Sequence, residues 1–184
     1  YEENGGLNYA IVNGHRMAYI DNKVEDKPLI LLLHGLPDHN FLYRDVIRIL
    51  GDEYRVIALD HIGYGLSDQP LELEYSFTTL SEYVDGFISV LELADINLVI
   101  TDVGGPAGLG FAANNPSLVK SITLFETIWE AVDDLENSNY APPFQEFLLN
   151  IRTDGIGEDI VINQNQMIAF LDQLTVSTMT PEVQ

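Results

Sequence analysis

The chain has no cysteine, which excludes a disulfide framework, a thiolate nucleophile and zinc-finger-type sites. It is also poor in positive charge. Eight Lys and Arg stand against 29 Asp and Glu, a formal net charge of -21 that repels phosphate backbones and anionic bilayers. Neither nucleic acid nor a membrane is therefore an expected partner. Long apolar runs are absent as well: those at 29–33, 56–59 and 96–100 have the length of strands, and none could span a bilayer. No basic and apolar leader opens the chain at Tyr1, so the cytoplasm is the default expectation. Tryptophan occurs once, at Trp129, and no histidine follows His61. Repeats and low-complexity tracts are missing too.

What remains is 184 residues, 46% hydrophobic, with a mean hydropathy of +0.05, the profile of one soluble domain with a subordinate layer. Asn13-Gly14 between two alternating runs, 8–12 and 15–20, predicts a hairpin with a type I′ turn. The continuous apolar run at 28–33 reads as a strand buried on both faces. A helix is expected over 41–50 with Leu42, Val46, Ile49 and Leu50 on its apolar side, then a strand over 54–59. Thr79-Leu80-Ser81-Glu82 has the form of a capping box for a helix whose apolar face is Leu80, Tyr83, Val84, Phe87, Ile88 and Leu91. A strand at 97–101, a helix at 105–114 stopped by Pro116 and a strand at 120–126 follow. Alternation of this kind gives an α/β fold, a mostly parallel sheet with flanking helices, whose chemistry collects at the carboxyl ends of the strands. Beyond Trp129 the alternation stops; Pro142-Pro143 begins a helix to 151, and a second runs over 157–174.

The most informative residue is Asp102. It stands in Leu98-Val99-Ile100-Thr101-Asp102-Val103-Gly104-Gly105, where an apolar strand breaks into glycine and small helical residues. A nucleophile elbow has this form, because the turn that lifts one side chain above the sheet leaves room only for small neighbours. A lifted carboxylate suits displacement at saturated carbon, with an alkyl ester as the intermediate. The plainer alternative is a strand-end Asp that caps the next helix.

Two more strand ends bear loops of the same kind: His34-Gly35-Leu36-Pro37 and Asp60-His61-Ile62-Gly63-Tyr64-Gly65-Leu66-Ser67-Asp68. In this order and spacing the three loops resemble the α/β-hydrolase superfamily, in particular its Asp-nucleophile branch of haloalkane dehalogenases and epoxide hydrolases. Phe41-Leu42-Tyr43-Arg44-Asp45, the Asp102 segment, and Gly157 to Asn165 are more similar to the dehalogenases. The resemblance implies an α/β-hydrolase core, front part only, over 1–128, and the beginning of a helical cap over 129–184. It implies hydrolysis of carbon–halogen bonds in a small apolar substrate, without metal or cofactor. Asp102 would be the nucleophile, Glu126 the acid that orients the base, and the amides of Leu36 and Val103 the oxyanion hole. Trp129 and Tyr140 would belong to the cap side of the substrate pocket. His34, His39 and His61 read as residues that position loops, not proton carriers.

Two departures qualify the resemblance. Dehalogenases of this kind hold the leaving halide with side-chain N–H donors, and the matching positions here are Leu36 and Val103, which have none. The base histidine of the family follows its last strand, and this chain has neither that histidine nor the last two strands, which leaves 120–126 as an exposed edge. The remainder is expected on a C-terminal segment or a second chain. An epoxide hydrolase, with Tyr140 protonating the opening ring, is the first alternative. A non-catalytic binding module derived from a hydrolase is another. A dinucleotide-binding fold is disfavoured, since Gly63-Tyr64-Gly65 lacks the third glycine and the start of a helix, and Gly104-Gly105-Pro106 lacks the first spacing. Without a base, these 184 residues should form the alkyl ester but not cleave it; product from a haloalkane should stall near one equivalent, and repeated turnover by this segment alone would refute that.

Overall fold

The computed structural model describes residues 5–127 together with Gly155 and Asp159. The chain divides between Trp129 and Glu130, and every strand and helix below lies in the first unit. Trp129, Tyr140 and the helices expected at 142–151 and 157–174 lie outside the described residues.

Six strands form one sheet: β1 (Leu7–Val12), β2 (His15–Asp21), β3 (Leu29–Leu33), β4 (Arg55–Leu59), β5 (Ile96–Asp102) and β6 (Val119–Thr127), in the order β1-β2-β4-β3-β5-β6. β1 and β2 are the predicted hairpin, with Val12 opposite His15 and a positive φ at both Asn13 and Gly14, as a type I′ turn demands. β2 meets β4 antiparallel, and the four strands from β4 to β6 run parallel. β3, apolar at every position, sits between β4 and β5 and is buried throughout. Its side chains alternate. Leu29, Leu31 and Leu33 join a core with α2 (Phe77–Val90) and α3 (Gly104–Asn114), whereas Ile30 and Leu32 join one with Tyr43 and Ile47.

Two sequence expectations for the helices are corrected. The segment after β3 is not one helix over 41–50; a 3₁₀ turn at Asn40–Tyr43 leads into a short α1 (Arg44–Leu50). The face is different too. Leu42, Val46 and Ile49 point to solvent, Leu50 packs against the core as expected, and Tyr43 and Ile47 are buried. Both stripes have helical spacing, and periodicity alone cannot choose between them. The Tyr43 hydroxyl decides it by donating to the carbonyl of Leu33, 2.9 Å away, which turns that stripe inward. For α2 the cap is Ser76, not Thr79: the extended Ser76 accepts from the Thr79 amide at 3.1 Å, so the helix gains its first turn from Phe77. The predicted apolar face of α2 is otherwise the observed one.

Among the described residues β6 is the last strand of the sheet on the far side, with Ile122, Leu124 and Phe125 exposed. Among the described residues no helix is long and apolar enough to cross a membrane. The opposite end of the parallel strands from Asp102 has its own character. All three lysines of the chain, Lys23, Lys27 and Lys120, line a groove there with Arg55, at the starts of β3, β4 and β6. Arg55 pairs with the buried Asp21 at 2.7 Å, and Lys120 with Asp95 at 3.4 Å.

The corrected helix face is testable. Ile47 is 1% exposed and Ile49 is 71% exposed. Ile47→Ala should cost about 2–4 kcal/mol of unfolding free energy and Ile49→Ala less than about 0.5. Urea titrations of the two variants would measure the difference, and equal losses would restore the face expected from periodicity.

Candidate active site

Asp102 ends β5 where Val103 begins the turn into α3, and its φ is +48°. Left-handed backbone at a non-glycine residue costs on the order of 1 kcal/mol or more and persists only where the surroundings impose it. They do so here. A Cβ on Gly104 would come within 2.6 Å of the Leu33 carbonyl oxygen, so glycine alone lets α3 start this close to β3. Gly35 is needed on the other side: a Cβ there would lie 2.4 Å from that of Asp102.

That close approach brings the Leu36 amide onto the carboxylate. Leu36 N–H donates to Asp102 Oδ1 at 2.8 Å, one carboxylate oxygen thereby fixed by a backbone donor. Val103, the second expected amide, is buried directly after Asp102. Thr127, beside Asp102 in the register of β5 with β6, donates its hydroxyl to the Asp102 carbonyl at 3.0 Å. Between those strands the register jumps: Thr101 faces Phe125 and Asp102 faces Thr127, so Glu126 is the extra residue of a bulge, with φ +37°. Bulges re-aim a side chain beside a site. The structure thus brings Leu36, Asp102, Val103 and Glu126 to adjacent strand ends.

The loops behind them are held by buried polar groups. His34 Nε2 accepts from the His61 amide at 3.1 Å, so the ring's proton sits on Nδ1, which donates to the Gly35 carbonyl at 2.8 Å. His34 therefore positions backbone. Burial first, opposed by the Gly35 carbonyl and aided by His39, holds this ring well under the usual imidazole range, at about 4. His61 is sealed against it, rings 4.7 Å apart, with both its own nitrogens unpartnered among the described residues; burial and then His34 keep it far below that range as well. Asp60 ties the two loops together by accepting from the amides of Asn40 and, at 2.8 Å, Leu66. Burial raises its carboxyl, and those two amides oppose the rise.

Two neighbours of Asp102 were not picked out as site residues in the sequence. Asp38, in the loop that carries Leu36, has its carboxyl raised by desolvation, lowered by His39 and raised again by the charge of Asp102. The Tyr64 hydroxyl is raised by burial and then by Asp102, while its ring meets His34 edge-on at 5.5 Å. Their positions in the His-Gly-Leu-Pro-Asp and Gly-Tyr-Gly loops were the only available signal. Among the described residues no group of three His, Cys, Asp or Glu is placed to hold a metal ion.

The mixed sheet therefore carries, at the carboxyl end of its parallel strand β5, a carboxylate on a tight strand-to-helix turn with a backbone donor set on it. Comparison with known proteins agrees: the model of the alpha/beta hydrolase fold matches residues 28–155, and the chain belongs to that family. A haloalkane dehalogenase of Agrobacterium fabrum is 34% identical over 142 residues, 77% of this chain and 45% of that protein. A cis-3-alkyl-4-alkyloxetan-2-one decarboxylase of Shewanella oneidensis is 35% identical over 119 residues, 62% of this chain and 36% of the other. The crystal structure of the haloalkane dehalogenase DatA from Agrobacterium tumefaciens superimposes with a TM-score of 0.82 at 28% identity, covering 99% of this chain and 62% of that one. The chain is haloalkane dehalogenase-like and spans about half the length, or less, of the curated relatives it matches.

The buried His34 ring has a measurable consequence. Its folded pKa of about 4 lies below the ordinary 6.5. As pH falls through that interval the unfolded chain takes up a proton that the folded chain refuses, so the ring removes about 3 kcal/mol of stability between pH 6.5 and 4, and nothing further below. An NMR titration of the His34 ring should find its midpoint near 4; a midpoint above 6 would remove this account of the loop.

Proposed function

We propose that the whole protein hydrolyses carbon–halogen bonds of small apolar haloalkanes through an alkyl ester on Asp102. The observation that carries this reading is the hydrogen bond from Leu36 N–H to Asp102 Oδ1. It divides the labour of the two carboxylate oxygens. Oδ1 is held, and Oδ2 is left to attack the carbon that bears the halogen. The C–X pair of electrons leaves with the halide, and Oδ2 becomes the alkoxy oxygen of the ester. Oδ1 is then the ester carbonyl oxygen, already seated on its donor. When water adds to Cγ the negative charge develops on Oδ1, at a distance from the Leu36 amide that suits an oxyanion hole. The Val103 amide is the second donor in this reading.

Glu126 serves as the acid that orients the base, its place in the bulge beside Asp102 supporting the role. The base itself we assign to a histidine in the length of the relatives that this chain does not span. Residues 1–128 are then the front part of the core and 129–184 the beginning of the cap, with Trp129 and Tyr140 assigned to the substrate pocket and the cytoplasm as the setting. The hydrocarbon side chains of Leu36 and Val103 favour one second reading, an epoxide hydrolase, in which the leaving oxygen stays tethered to the product.

Incubation with 1-bromobutane or with styrene oxide, followed by peptide mass analysis, separates these readings. In samples quenched within a single turnover, before the ester is cleaved, a butyl adduct on Asp102 is expected, and Asp102→Asn should lower its rate of formation by at least about a thousandfold, as loss of a nucleophile does. An adduct from the epoxide alone would favour the second reading, and no adduct from either would leave a binding module.

A further inference from the structure

Cleavage of an ester on Asp102 puts negative charge on Oδ1, and the backbone amides of Leu36 and Val103 are the donors that would meet it. The Leu36 amide is already in place, at 2.8 Å. Resting on the ester reading above, we infer that Thr127 is a positioning residue for the other donor: by holding the Asp102 carbonyl, its hydroxyl sets the direction in which the Val103 N–H points.

The link is a single peptide group. The Asp102 carbonyl and the Val103 N–H belong to one planar, trans unit, so they point in opposite directions and turn together. Thr127 Oγ1 donates to that carbonyl at 3.0 Å. β5 lies between β3 and β6. With its carbonyl held toward Thr127 on β6, the peptide sends its N–H away from β6, to the side on which the loop after β3 delivers the Leu36 amide.

This peptide needs an outside hold. It joins left-handed backbone at Asp102, φ +48°, to right-handed backbone at Val103, φ -67° and ψ -21°. A carbonyl entering a helix is ordinarily met by the amide four residues on, and for Asp102 that residue is Pro106, which has no N–H. The bulge in β6 supplies the donor. Thr101 pairs with Phe125, so an unbroken ladder would set Glu126 opposite Asp102; the extra residue brings Thr127 there instead. One irregularity thus re-aims Glu126 and seats a hydroxyl on the elbow.

The two chemical steps use the Val103 donor unequally. Attack of Oδ2 on the carbon that bears the halogen draws charge away from the carboxylate. In the second step water adds to Cγ and yields a proton to the base, while the carbonyl electron pair moves onto Oδ1. The pair then returns, the Cγ–Oδ2 bond breaks, and the base gives its proton to the departing oxygen, which leaves an alcohol and the free carboxylate. Thr127 exchanges no proton, and its effect falls on the second step.

Thr127→Val keeps the shape of the side chain and removes the hydroxyl, whereas Thr127→Ser keeps the hydroxyl. In the full-length protein mixed with 1-bromobutane, rapid quenching and mass analysis would follow the butyl ester on Asp102 as it forms and decays. Thr127→Val should slow decay by about tenfold and formation by less than about threefold, so that ester accumulates, and Thr127→Ser should restore decay to within about threefold. The pH profile of decay should lose height in Thr127→Val and keep its midpoint, because the base is untouched. Equal slowing of both steps, unaltered decay, a displaced midpoint, or a serine variant as slow as the valine one would overturn the role of Thr127 and leave Asp102 as nucleophile. Failure of the unsubstituted protein to form the ester would overturn the ester reading itself, before any variant is compared.

Discussion

The short contact between the Leu36 amide and Asp102 is the constraint around which the strand ends are arranged. For it to form, β3 and β5 must be neighbours, Gly35 must lack a side chain, and Asp102 must accept a left-handed backbone. The left-handed backbone at Asp102 carries a cost in local conformational energy, and the sheet supplies what holds it. β3 is buried along its whole length and bonded on both sides, so its end cannot drift from that of β5. The register jump that places Glu126 beside Asp102 occurs between the last pair of parallel strands, which also shift register between Ile96 and Asn97 and pair regularly from Asn97 to Thr101.

Behind this contact lies a layer that is polar and buried. Asp60, His34, His61 and Asn40 are all buried, and the loops after β3 and β4 are joined through them. A neutral imidazole is required in such a place. His34 must accept on one nitrogen and donate on the other, which a protonated ring cannot do, and the desolvation that lowers its affinity for protons also protects the bond that joins the loops. His61 shows the cost of the same environment, with both ring nitrogens unpartnered among the described residues.

Much of this was readable in the residues, for identifiable reasons. The hairpin followed from Asn13-Gly14, β3 from an unbroken apolar run, and the elbow from a carboxylate between a strand and two glycines, each a local signal that tertiary packing did not override. Face selection failed where two stripes competed: Leu42, Val46 and Ile49 repeat as well as Tyr43 and Ile47 do, and a single hydroxyl reaching the carbonyl of Leu33 decided between them. Thr79 and Glu82 form the capping-box pattern in the sequence, but it is the Ser76 hydroxyl that takes the Thr79 amide. The bulge at Glu126 and the nearness of Asp38 and Tyr64 to Asp102 depend on register and on contacts between loops far apart in sequence. No spacing rule within one segment encodes them.

The groove at the amino ends of the parallel strands gives the molecule a sidedness in its reactivity as well as its charge. Every lysine in the sequence lies there, a full strand length from the carboxylate at the other end of β5. Reagents that acylate primary amines, and solid supports that couple through them, would take hold of the side chains on that face. Within these 184 residues the side-chain amines therefore lie at the end of the sheet away from Asp102.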